Sequence, residues 1–165
     1  MRAHVLAGAV ALSGLGMFIS TTFFAGSAAA VAAVDPGRYR HADGYFFTTA
    51  DGSVGCGIQD TPSSELPATA GCQQLATHGR SRTGCESNET DQPTEPTMTL
   101  GYAAAELICL KEGLFSGARP AYILPDDTAL TVGDFTCAAR DQRATCTNNA
   151  TGHGFLFTRG INLRW

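Results

Sequence analysis

The chain has 165 residues, with 15 acidic and 11 basic side chains, 19 glycines and six cysteines. That length suits a single domain at the usual ~100–200 residues, and a net charge of −4 argues against nucleic acid as a partner, because phosphate affinity rests on clustered Lys and Arg. An apolar fraction of 44% is ordinary for a globular chain and excludes wholesale disorder.

The first element is an address. Between Ala3 and Val34 the only ionisable side chain is His4, and the stretch opens with Arg2 and closes on Ala28-Ala29-Ala30-Val31-Ala32-Ala33. A basic start, an apolar middle and a small-residue A-x-A end predict a secretory signal peptide over residues 1–33. Ala30, Ala32 and Ala33 all suit the cleavage position. An uncleaved anchor is the alternative, since ~20 apolar residues can span a bilayer, but glycines and hydroxyl residues interrupt this run. The first cysteine is Cys56, so the leader carries no site for a lipid-modified N-terminal cysteine. Residues 34–165 then form a secreted domain with no membrane attachment after cleavage.

Along that domain the pattern is that of strands. Tyr45-Phe46-Phe47-Thr48-Thr49 is aromatic and β-branched, stops at Ala50-Asp51-Gly52-Ser53, and resumes at Val54, which predicts a hairpin. Residues 59–71, with Pro62 and Pro67, read as loop. Residues 86–99 hold Glu86, Glu89, Asp91 and Glu95 with two prolines and no base, and predict a solvated acidic loop. Calcium is the other reading of that stretch, but the alternating ligand pattern of an EF-hand loop is missing. In residues 100–110 the Ala103-Ala104-Ala105-Glu106 run favours helix by propensity and Leu107-Ile108-Cys109-Leu110 suits a buried strand, which predicts at most one short turn of helix followed by a strand. Strands follow at Tyr122-Ile123-Leu124, at residues 129–132 and on both sides of residues 140–143. A last hairpin turns at Arg159-Gly160. Seven or eight short strands with glycine turns predict an all-β fold, a small antiparallel sandwich or barrel fastened by disulfides.

All six cysteines, Cys56, Cys72, Cys85, Cys109, Cys137 and Cys146, lie in the secreted part. Their even number predicts three disulfides in an oxidising compartment. No C-x-x-C spacing and no nearby histidine supports a metal site, and no cofactor is expected. One bridge follows from geometry. If Arg140 faces Arg143 across a two-residue loop, Cys137 stands opposite Cys146, where Cβ atoms come within bonding reach. Sequential pairing, Cys56 with Cys72 and Cys85 with Cys109, is the expectation for the remainder.

Chemistry is sparse. The chain has no G-x-S-x-G elbow, no H-E-x-x-H, no P-loop and no G-x-G-x-x-G, and oxidised cysteines offer no thiol nucleophile. His41, near the start of the secreted part, and His78, beside Arg80 and Arg82, read as surface residues. His153, in Thr151-Gly152-His153-Gly154-Phe155, has glycines on both sides that free the backbone. It is the one catalytic candidate, as a general base with Asp126, Asp127 or Asp134. The competing role has it hydrogen-bond a main-chain carbonyl and pin the turn before the last hairpin. N-x-T sequons occur at Asn88 and Asn149. The Gly- and Ala-rich composition is bacterial in character, so glycans are not expected there.

The segment Thr145-Cys146-Thr147-Asn148-Asn149-Ala150-Thr151-Gly152-His153-Gly154-Phe155, with Leu130-Thr131-Val132-Gly133-Asp134-Phe135-Thr136-Cys137 before it and Thr158-Arg159 after it, carries a resemblance. The chain resembles a family of small secreted, Cys-rich actinobacterial proteins, often mycobacterial, to which no activity is assigned. The resemblance implies an exported disulfide-rich β domain and supplies no catalytic residues. The functional expectation is a non-enzymatic binding or envelope-associated domain whose partner is a cell-wall component or an extracellular protein. A small hydrolase built on His153 is the alternative. A secreted inhibitor of a foreign hydrolase, presenting residues 59–71 or 86–99, is a variant of the binding reading.

Overall fold

The computed structural model of the chain describes residues 31–60, 69–75, 85, 95–110, 113–115 and 122–165. In chain order the strands are β1 (Ala32–Ala33), β2 (Arg40–His41), β3 (Gly44–Thr48), β4 (Val54–Gln59), β5 (Thr69–Gln74), β6 (Glu95–Leu100) and β7 (Ala105–Leu110). They continue as β8 (Tyr122–Ile123), β9 (Thr128–Val132), β10 (Phe135–Arg140), β11 (Arg143–Asn148), β12 (Gly154–Phe157) and β13 (Asn162–Arg164). One sheet of six strands runs β1-β9-β10-β11-β12-β13. A second, of seven, runs β2-β3-β4-β5-β6-β7 with β8 added beside β3.

The expected all-β sandwich is what forms, with more strands than the seven or eight anticipated, because two-residue pieces such as β1 and β2 lack any sequence period. Two of the pairings, β1 with β9 and β3 with β8, are parallel within otherwise antiparallel sheets.

Strand alternation builds the core. In β10 and β11 the buried positions are Phe135, Cys137, Ala139, Ala144, Cys146 and Asn148, while the residues between them face outward, as a two-residue side-chain period requires. The partner sheet contributes Phe47, Val54, Cys56, Ile58, Cys72, Met98 and Leu100 to the same buried cluster. Each large apolar side chain so enclosed contributes about 1.5–3 kcal/mol relative to exposure.

Disulfides join Cys56 to Cys72, Cys85 to Cys109 and Cys137 to Cys146. The first and third each link adjacent strands inside their own sheet, at the registers Cys56↔Cys72 and Cys137↔Cys146. They meet in the core, where the Cys72 and Cys146 sulfurs are 3.9 Å apart. Both sulfurs are oxidised and carry no proton, so this is a van der Waals contact that locks the two sheets face to face. The β10–β11 connection is the two-residue turn expected from Arg140↔Arg143. Asp141 and Gln142 sit at φ 48° and 63°, the left-handed pair that matches the twist of a hairpin.

Two loop bounds are corrected and one ambiguity is resolved. Of the single helical turn allowed at most in residues 100–110, none forms; β6 and β7 are joined by a turn in which the Gly101 amide bonds the Ala104 carbonyl at 3.2 Å. Pairing from Leu100↔Ala105 to Glu95↔Leu110 overrides the alanine propensity, a weak prior against a full ladder. Among the described residues the helical element is a single 3-10 turn at Pro36–Tyr39, capped by Asp35. The loops expected at 59–71 and 86–99 are shorter than read, since β4 and β5 extend to Gln59↔Thr69 and β6 begins at Glu95. Residues 61–68 and 86–94, and with them Asn88 and most of both inhibitor-loop candidates, lie outside the described residues, as does His78.

The outer side of the seven-stranded sheet is covered over its central strands. Phe115 is buried there at 1% exposure, and its amide donates to Gln73 Oε1 at 2.8 Å. A side chain on Gly71 would put its Cβ 2.1 Å from the Phe115 ring, and one on Gly57 would meet Phe46 at 2.5 Å. The two glycines are therefore the floor on which these aromatic rings lie.

Candidate functional site

The six-stranded sheet presents a different outer surface. Strand register places Thr131 beside Thr136, Thr136 beside Thr147, and Thr147 beside Gly154. Main-chain bonds in both directions, at 3.0 and 3.1 Å, then pair Gly154 with Trp165. These five residues form one row across five strands. Ala129, Ala138, Thr145, Leu156 and Leu163 form the neighbouring row. Inward neighbours such as Cys137, Cys146 and Phe155 are fully or almost fully buried, so alternation turns both rows outward.

The hydroxyls in the first row are linked. Thr131 Oγ1 and Thr136 Oγ1 are 2.9 Å apart, and Asn149 Nδ2 donates to Thr136 Oγ1 at 2.9 Å. Trp165, 52% exposed, closes the row. Its indole occupies the space above Gly154, where an added Cβ would lie 2.6 Å from Cζ2 and 2.7 Å from Cε2. Any side chain at position 154 would displace the ring. Ile161 and Leu163, at 63% and 54% exposure, continue the apolar side of this edge at the same alternate positions as Trp165.

The Thr151-Gly152-His153-Gly154-Phe155 segment sets this edge. Asn148, itself fully buried, accepts from the amides of Ala150 and Thr151 at 2.9 and 3.3 Å and donates to the Gly101 carbonyl at 3.2 Å. It thereby ties the turn to the other sheet. Gly152 takes φ +78°, a left-handed conformation that glycine adopts without strain. The Asn148 amide then bonds the His153 carbonyl at 2.9 Å, and the chain enters β12.

His153 is half-buried, and its Nδ1 lies 3.4 Å from the main-chain oxygen of Trp165. The structure brings none of its expected acidic partners to it. Asp127 pairs with Arg140 at the far end of these strands, and Asp134 accepts a 2.9 Å hydrogen bond from the Tyr102 hydroxyl. That bond holds the phenol proton and raises the Tyr102 pKa. Asp126 is exposed in the turn before β9. Among the described residues no Asp or Glu side chain lies within hydrogen-bond reach of the imidazole, and its contact with the Trp165 main chain fits the turn-pinning role.

His41 departs from the surface role expected of it. It is half-buried between the Phe46 and Tyr122 rings, with centroids at 5.8 and 5.9 Å, and its Nε2 has no hydrogen-bond partner. Nearby, Arg40 donates to the Tyr45 hydroxyl at 2.9 Å and pairs with Asp60. Among the described residues no group of three His, Cys, Asp or Glu side chains could hold a metal ion, and no helix is long and apolar enough to cross a membrane.

The threonine row was missed by reading the sequence, which treated residues 129–132, 136 and 145–147 only as strand. The usable signal was threonine at every second position, Thr145 and Thr147, out of phase with Ala144 and Cys146. Comparison with known proteins finds no matching family model, no similar curated protein and no similar solved structure.

Proposed function

We propose that the chain is an exported, non-enzymatic binding domain of the extracellular space or cell envelope, of the kind its resemblance to small secreted actinobacterial proteins implies. Three disulfides support residence in an oxidising compartment. The observation that carries the binding reading is the outer face of the six-stranded sheet, where Trp165 and a row of threonines stand exposed or half-buried on rigid strands. Binding groups held on a rigid scaffold lose little conformational freedom when a partner arrives.

Removal of the leader after Ala30 fits this reading better than removal after Ala32 or Ala33. Ala32 and Ala33 form β1, paired with Thr128 and Ala129, and the Ala32 amide bonds the Asp127 carbonyl at 3.0 Å. A cut after Ala33 would strip that edge strand away.

The test uses the exported protein. N-terminal mapping should give Val31 as the first residue, with all six cysteines oxidised. Sedimentation with envelope fractions should be lost in Trp165→Ala and retained in Glu106→Gln, a control on the exposed face of β7. Six free thiols in the exported protein, or equal sedimentation of wild type and Trp165→Ala, would overturn the proposal.

A further inference from the structure

We propose that the Trp165–threonine face is a carbohydrate platform, recognising an uncharged polysaccharide chain laid across the strands. The inference rests on the binding reading above and names its ligand class.

Row geometry comes first. From Trp165 to Thr131 the row crosses five strands, a span of roughly 19 Å at ~4.8 Å per strand, long enough for several consecutive sugar rings. The chemistry along that line is graded. An aromatic plate stands at one end, and Thr147, Thr136 and Thr131 follow it in order. A sugar ring offers a C–H face, whose slightly positive hydrogens suit the negative face of an indole. Its hydroxyls both donate and accept, as do threonine hydroxyls. Because Thr131, Thr136 and Asn149 are already linked to one another, their orientations are set before a ligand arrives, while each hydroxyl, with one donor and two acceptor sites, keeps at least one of them for a ligand.

Charge selects among ligands. The chain carries a net charge of −4, yet both central rows of this face hold only Thr, Ala, Leu, Gly and Trp. Charged side chains flank the rows, with Arg140 opposite Arg143 and paired with Asp127 at one end and Asp134 held by Tyr102 at the other. Neither row carries an Asp, Glu, Lys or Arg side chain to pair with a charged polymer. An uncharged chain of hydroxyls meets its match in charge and in hydrogen-bonding character.

Trp165 is also held in advance. Its amide and carbonyl are both engaged by Gly154, its ring fills the space left open by that glycine, and His153 reaches its main-chain oxygen. Stacking a sugar on a ring already in place costs little rotamer entropy. On this account His153 is a positioning residue for Trp165.

Trp165 is the single tryptophan of the chain, so intrinsic fluorescence reads this site alone. The experiment titrates mature, oxidised protein with soluble dextran, mannan, β-glucan and chitin oligosaccharides, with polygalacturonate as the anionic arm. Depletion on insoluble cellulose and chitin runs in parallel. At least one uncharged glycan should shift the Trp165 emission. Trp165→Ala should weaken binding of that glycan about tenfold, the order of one stacking contact, and Trp165→Phe should recover part of it. Thr136→Ala with Thr147→Ala should weaken it several-fold without altering the circular dichroism spectrum. His153→Ala should blue- or red-shift the free-state emission and weaken glycan binding, which a purely structural histidine remote from the indole would not do.

No response to any uncharged glycan overturns the assignment, as does binding of polygalacturonate alone. The outcomes also separate the two proposals. If envelope sedimentation depends on Trp165 while uncharged glycans fail, the face stands and the carbohydrate class falls. Should uncharged glycans bind equally well to Trp165→Ala, both the location and the platform are wrong.

Discussion

On the outer side of the seven-stranded sheet, Gly57 and Gly71 lie beneath the Phe46 and Phe115 rings. On the outer side of the six-stranded sheet the central strands instead carry Thr136, Ala138, Thr145 and Thr147, half-buried. The two faces belong to one sandwich and back onto the same core, where the Cys56–Cys72 and Cys137–Cys146 bridges touch. What differs is the residue at the outward positions. Glycine lets an aromatic ring descend onto the backbone and seal the sheet, whereas a β-branched hydroxyl residue keeps a covering layer away and presents polar groups to solvent. One face is thereby covered over its central strands and the other stays open to solvent.

The largest test of that contrast is Phe115→Ala. Removing a fully buried phenylalanine from the sealed face should cost about 3–5 kcal/mol, read by urea unfolding. A loss no larger than that of a surface substitution would mean the face is not sealed. Gly71→Ala sharpens the same point from the other side of the contact. Its new methyl would lie 2.1 Å from Phe115 Cε2, and the overpacking should cost roughly 1–3 kcal/mol.

A smaller, pH-dependent effect distinguishes the turns of the two sheets. In the β3–β4 turn the Asp51 carboxylate accepts from the Thr49 hydroxyl at 2.7 Å and from the Ser53 amide at 3.1 Å. Partial burial pushes its pKa up, but hydrogen bonds from Ser53 and Thr49 outweigh this and hold it below the usual range. A depressed folded-state value stabilises above the unfolded value of about 3.9, and that stability is lost as pH falls through the folded one. Asp51→Asn should cost about 0.5–1.5 kcal/mol at neutral pH and flatten the acid limb of the stability profile. The β10–β11 turn is held instead by the left-handed pair Asp141 and Gln142 and by the Arg140–Asp127 ion pair. Least of all, Thr136→Ala or Thr147→Ala on the open face should change stability by no more than about 0.5 kcal/mol, measured by thermal unfolding.

Legibility followed range. The Cys137–Cys146 bridge could be placed because a two-residue turn between Arg140 and Arg143 sets the register of everything beside it, and the structure holds that register through Phe135↔Asn148. The N-terminal hairpin was readable for the same reason, from its D-G turn. Residues 100–110 were ambiguous because alanine propensity is intrinsic to the segment, whereas the ladder that overrides it is supplied by the neighbouring strand β6 and by the covalent link from Cys109 to Cys85. His153 could be singled out from its flanking glycines, but its role depended on what the fold set beside it. That neighbour proved to be the main chain of Trp165, with the candidate aspartates elsewhere.

From the string of residues alone came the β class and the one bridge dictated by a tight turn, both of which depend on composition or on neighbours a few positions apart. Folding decided the rest: which of two sheets would be roofed by aromatic rings, and that threonines on β9, β10 and β11 would align with a tryptophan from beyond β13. Such a row exists only after hydrogen-bonded pairing has brought distant segments side by side, and pairing is a property of the whole chain.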